Sequence, residues 1–235
     1  MLTAVTIGIS LFALSCLSTA NTGWADEAYS REIVLPETLN LSWEAEWLTE
    51  SFKAPKGACH PDSVRMEGAD GPVPAQFIEI ERWPGTAYVK RAKLGYVTDL
   101  DPLEKRKFTV HFGPDPRPAA SSDLNVQRSE NEIDLTNDAF GIRLFRGSER
   151  YDTAMDSDEV PGPVRGVRLA DKTWTGGSRI YGPGKIRAVQ SRLVEDGPAL
   201  ARVEMRYEYD DGRVMTLTCQ LAARAPRAEW DMLVE

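Results

Sequence analysis

Histidine and cysteine are scarce in this sequence, with two and three residues among 235. The two histidines, His60 and His111, leave no Ser-His-Asp order and no HExxH helix, and no glycine-rich phosphate loop is present. No catalytic residue, metal ligand or cofactor is therefore assigned. Basic charge is also in deficit: 28 Lys and Arg against 36 Asp and Glu give a net charge of −8. Without a basic stripe to neutralise phosphates, nucleic acid is excluded as a partner. No amphipathic helical pattern of ten or more residues occurs, which excludes helix-bundle architectures.

Charge is missing altogether from the first 25 residues; the first charged side chain is Asp26. From Ala4 to Leu17 the chain is nearly all apolar. The run is shorter than the roughly 20 apolar residues a membrane span needs. It reads as the core of a signal peptide covering residues 1–25, with small-x-small sites at Ser18-Thr19-Ala20 and Gly23-Trp24-Ala25. The expectation is export to the periplasm or the extracellular space, with cleavage after Ala25. No Lys or Arg precedes the core, which is most simply explained by a translation start upstream of Met1. Ala13-Leu14-Ser15-Cys16 is an imperfect lipoprotein box, so the alternative is a lipoprotein anchored through Cys16. Of the other cysteines, Cys59 falls in a loop and Cys219 alternates with Met215, Leu217 and Leu221. Two such residues are no disulfide framework, and a single bridge between them stays open.

What is present is period-2 alternation. Ala201, Val203, Met205, Tyr207 and Tyr209 point one way, and Arg202, Glu204, Arg206 and Glu208 the other. A helix would scatter both sets around its circumference. The turn Asp210-Asp211-Gly212 then leads into a second alternating run, giving an antiparallel hairpin with one wet face. Residues 75–80, 88–97, 107–112, 140–145, 164–169, 185–195 and 228–235 also read as strands. Fifteen prolines and 18 glycines punctuate them. The fold class is all-β: a small N-terminal β-barrel or sandwich at 26–113, a proline-rich linker at 114–128, and part of a larger antiparallel β-sandwich at 129–235. Trp230 to Glu235 reads as a strand in mid-stride, so the sandwich is expected to continue in a longer polypeptide.

Two loops carry aromatic residues of the kind that bind sugar rings. Trp174, Arg179 and Tyr181 share a loop opened by Gly176 and Gly177, and Trp83 sits in Trp83-Pro84-Gly85. The Arg179 fork would suit an acidic sugar. The competing reading makes each tryptophan a structural plug. Asp152, Asp156, Asp158 and Glu159 read as a solvated acidic loop, without the spacing of a calcium loop.

Three further segments carry a family likeness: Gly71-Pro72-Val73-Pro74-Ala75-Gln76, Val97-Thr98-Asp99-Leu100-Asp101-Pro102-Leu103, and Asp134-Leu135-Thr136-Asn137-Asp138-Ala139-Phe140-Gly141. Over roughly residues 60–235 the layout resembles the N-terminal β-domains of secreted bacterial polysaccharide-degrading enzymes, above all exo-acting rhamnogalacturonan-lyase-like proteins. The β-domains of α-mannosidase-like hydrolases share the texture. The resemblance implies a non-catalytic N-terminal portion of a lyase or glycoside hydrolase, with a polysaccharide or oligosaccharide as partner. In the lyase-like proteins a helical toroid follows these β-domains. No helical segment occurs in this sequence, so no catalytic residue is carried over. The rivals are a stand-alone carbohydrate-binding or adhesion module and a structural exported protein.

Overall fold

The computed structural model describes residues 29–235, so the expected signal peptide at 1–25 and Cys16 lie outside the described residues. Within them the chain is nearly all β, in four antiparallel sheets, as the alternation requires. The strands form two units, each with its own core.

The first unit holds β1 (Tyr29–Pro36), β2 (Trp43–Lys53), β3 (Arg65–Gly68), β4 (Gly71–Val73), β5 (Ala75–Arg82), β6 (Val89–Leu100) and β7 (Lys105–Phe112). They make two sheets, ordered β1-β7-β3-β4 and β2-β6-β5. Between the sheets lie Ile33, Leu35, Phe52, Phe77, Leu94, Tyr96, Phe108 and Phe112. Phe52 packs at a tilt against Phe77 and meets Phe112 edge-on, with centroids 4.5 and 5.0 Å apart. At one end the buried Glu37 carboxylate accepts hydrogen bonds from the backbone amides of Leu39, Asn40 and Leu103. Burial alone would raise its pKa. The bonds from Leu103, Leu39, the Trp43 indole and Leu41 outweigh that and hold it near 2.

The second unit is the sandwich. One sheet is β13-β12-β10-β9-β8, built from β8 (Asn125–Arg128), β9 (Glu132–Thr136), β10 (Gly141–Phe145), β12 (Val164–Arg168) and β13 (Trp174–Thr175). The other is β11-β14-β15-β16-β17, built from β11 (Ser148–Asp156), β14 (Lys185–Asp196), β15 (Leu200–Tyr209), β16 (Val214–Ala222) and β17 (Glu229–Val234). Leu135, Leu144, Ile186, Val189, Val203, Met205 and Tyr207 are fully buried between them. Arg206 is exposed and Met205 is not, so the predicted wet and dry faces of β15 are as read. Several details differ from the sequence reading; β2 was not read as a strand, and Trp174, read on a loop, lies in β13. The stretch read as linker already contains β8, and Asp152 and Asp156 belong to strand β11.

The units are docked. The buried Gln76 of β5 places its side-chain oxygen to accept from the amides of Ala199 and Leu200, at 3.0 and 2.8 Å. These amides lie at the β14–β15 turn, where the chain has no ladder partner for them. A Cβ at Gly197 would meet the Gln76 carboxamide at 2.2 Å, so this close approach requires glycine. Trp47 and Val97 of the first unit pack against the sandwich core, and Arg224 pairs with Asp99 across the seam.

Candidate functional site

The loop from β13 to β14 carries two of the residues singled out in the sequence, Arg179 and Tyr181, while Trp174 lies in β13 itself. Ile180 turns into the sandwich core, and its neighbours Arg179 and Tyr181 both face solvent. The Tyr181 ring is 75% exposed, the most open large hydrophobic side chain among the described residues. It borders an open trough of about 580 Å³ together with Asp156, Ser157, Asp158, Lys185 and Asp210.

The trough is assembled from three places in the chain. Asp156 at the end of β11 pairs in register with Lys185 at the start of β14, and their side chains form an ion pair at 3.3 Å. The turn after β11 is tied to the Tyr181 loop, where the Ser157 hydroxyl donates to Gly182 O at 3.2 Å. Asp210 enters from the β15–β16 turn, and its amide donates to Lys185 O at 2.9 Å. Below the loop the Arg213 guanidinium lies over the Tyr209 ring at 4.9 Å and donates to Pro183 O at 3.2 Å. Tyr181 is thus an exposed aromatic face on a fixed rim. Three carboxylates surround it, against one ammonium group that is already paired. Hydroxyl groups of a ring stacked on Tyr181 would find acceptors in Asp156, Asp158 and Asp210 and a donor in Lys185.

Trp174 stands against different elements. It lies across Gly166 of β12, and its ring stacks on the Arg143 guanidinium of β10 at 4.4 Å. Arg143 in turn forks onto Asp134 of β9 through two hydrogen bonds of 2.8 Å and lies 3.2 Å from Glu132. The Asp134 bond, opposed by partial burial and helped by the nearby charges, raises the Arg143 pKa. One indole face is therefore occupied by a cation. The structure brings Arg179 and Tyr181 to solvent in one segment and seats Trp174 in a separate row with Arg143 and Asp134. Trp83 is in the first unit, donating its indole N–H to Ala54 O at 3.2 Å with Lys90 over its ring.

Asp210 and Lys185 were missed as site residues in the sequence. Their only signals were a turn and a strand start, and nothing in spacing places either beside Tyr181. The histidines have structural roles. His60 Nδ1 accepts from the Asp62 amide at 3.1 Å and caps a single 3-10 turn. His111 lies on a strand 4.0 Å from Glu67. Among the described residues, no three His, Cys, Asp or Glu are grouped to hold a metal ion. Cys59 and Cys219 are both free, one in each core. The chain matches no protein-family model and no curated protein.

Proposed function

We propose that this chain is the sugar-contacting, non-catalytic β-portion of an exported polysaccharide-acting enzyme. The observation that carries this reading is the trough beneath Tyr181: an exposed aromatic ring on a pinned rim, bordered by hydrogen-bonding side chains. An aromatic platform with polar groups around it is what a pyranose ring requires, with an apolar face and an equatorial rim of hydroxyls. The family resemblance supports the enzyme context, because a small β-unit followed by a sandwich is the order of domains it implies. The charge of the trough favours a neutral sugar over the acidic one that Arg179 alone suggests. A stand-alone binding module is the second reading, and the same site serves it.

The test is calorimetric titration of the folded protein with neutral and galacturonate-rich oligosaccharides. Binding is expected with the neutral set. Tyr181→Ala should weaken it about tenfold, the order of one aromatic contact. Trp174→Ala should leave it within about twofold. Binding undisturbed by Tyr181→Ala moves the site away from the trough. No binding of any sugar by the folded protein removes the proposal.

A further inference from the structure

The seam between the two units has two unlike rims. On one, the sandwich offers cations to carboxylates of the first unit: Arg224 pairs with Asp99, and Arg227 lies 3.9 Å from Glu46. Burial would raise the Asp99 pKa. The Ala45 amide and the Arg224 guanidinium outweigh that and hold the carboxylate below its ordinary value.

On the other rim, carboxylate faces carboxylate. Gln76 of β5 bonds to the β14–β15 turn, and Glu79 follows three residues later on the same strand. Glu195 stands near the end of β14, two residues before the Gly197 that packs on the Gln76 carboxamide. Both glutamates sit where their strands depart from regular pairing. β5 shifts register between Ile78 and Glu81, with Glu79 at φ +51°, and β14 shifts between Leu193 and Glu195. A left-handed residue other than glycine is uncommon and persists where its surroundings hold it. Glu79 pairs with Lys93 of β6 at 2.7 Å. Glu195 is half-buried and has no hydrogen bond or ion pair among the described residues. Arg202, opposite it on β15, turns its guanidinium to Gln220 Oε1, with bonds of 3.1 and 3.0 Å. Asp196, next in the chain, is taken by Arg128 of β8. Burial therefore raises the Glu195 pKa. The field of Arg202 opposes this, and Glu79 across the seam adds to it.

We propose that the Glu79–Glu195 rim is a pH-sensitive hinge between the units, closed when Glu195 is protonated and eased open when it is ionised, with the Arg224–Asp99 rim as its pivot. Lys93 is held by Glu79 and Arg202 by Gln220, so neither is free to bridge the two carboxylates. Glu195 is raised in the folded state. Its contribution to docking is complete below the unfolded value near 4.5 and is lost as pH rises through the higher folded value. Asp99 is lowered, so its contribution is complete above the unfolded value near 3.8 and is lost only in stronger acid. Docking is thus tightest in mild acid and loosens toward neutral pH. Glu195 lies at the far end of β14 from Lys185, so the hinge is separate from the Tyr181 trough.

The amides of Ala199 and Leu200 report the hinge directly, because their acceptor is Gln76 across the seam. The test is hydrogen exchange of the whole chain near pH 4.5 and at neutral pH, with protection corrected for intrinsic rates. Val203 and Leu135, buried in the sandwich core, serve as references. Protection at Ala199 and Leu200 is expected to fall by about two- to fivefold from acid to neutral pH, the scale of one like-charge contact, while the references hold. Glu195→Gln keeps the shape of the side chain and should hold protection at the acid level under both conditions. Glu79→Gln should do so in part. Protection that does not change with pH, or a fall that survives Glu195→Gln, overturns the proposal. A parallel fall at Val203 and Leu135 also overturns it, because the sandwich as a whole then opens rather than the seam.

Discussion

The first unit and the sandwich bury their surfaces differently. The first unit is held by a cluster of rings, with Phe52, Phe77, Tyr96, Phe108 and Phe112 all buried. The sandwich core is mostly aliphatic, from Leu135, Leu144, Ile186, Val189 and Val203 to Met205. Their outer strands differ less. In the first unit β4 has three residues with Pro72 among them, β2 slips register after Trp43, and β5 slips after Ile78, while β1 pairs with β7 over eight residues without a shift. In the sandwich β11 slips register after Arg150, while β17 pairs with β16 over six residues without a shift.

The comparison breaks most sharply if the sandwich can be lost alone. Met205→Asp buries a carboxylate without a partner at a fully enclosed site. It should cost about 3–5 kcal/mol. Arg206→Leu, one residue on but exposed, should stay within about 0.5 kcal/mol. Urea melts of both variants measure the difference. Equal costs would mean that both faces of β15 are covered.

The seam is the next point to probe. Gln76→Leu leaves the Ala199 and Leu200 amides buried without an acceptor. It should destabilise by about 1–3 kcal/mol. Calorimetry should then show a single transition splitting into two, as the sandwich loses its anchor on the first unit. An unchanged single transition would show that the packing of Trp47 and Val97 alone couples the units.

The smallest effect is confined to the first unit and to acid. The Glu37 pKa is depressed in the folded state, so its contribution is complete above the unfolded value near 4.5 and is lost as pH falls through about 2. Glu37→Gln should therefore flatten the acid dependence of the first unit's melt between these values. A pH titration followed by aromatic circular dichroism checks this, since the rings of that core report the unit. An identical acid profile in the variant would show that the Leu39 and Leu103 amides hold the loop by other means.

Much of the fold was legible because of one-sided burial. The run from Ala201 to Tyr209 alternates because only one of its faces is dry. β2 escaped the sequence reading for the opposite reason. Its register shifts between Trp43 and Glu46, with Ala45 at φ +50°, and Trp47 and Leu48 follow one another without alternation. The site was legible only in part. Tyr181 could be picked as an aromatic on a glycine-rich loop, but Asp156 and Lys185 reach it from two strands and Asp210 from a turn. The seam was out of reach altogether, since Gln76 and Leu200 meet across 124 residues and an interior glutamine carries no period.

The two thiols now have a use. Cys59 is buried in the ring-filled core and Cys219 in the aliphatic one. Burial raises both thiol pKa values, to about 11 for Cys59 despite its contact with Ser63, and higher still for Cys219. Neither forms the reactive thiolate while its unit is closed. Each unit therefore carries a private clock. An alkylating reagent marks a thiol only when that core opens, so the order in which the two labels appear reads out which half of the molecule breathes first.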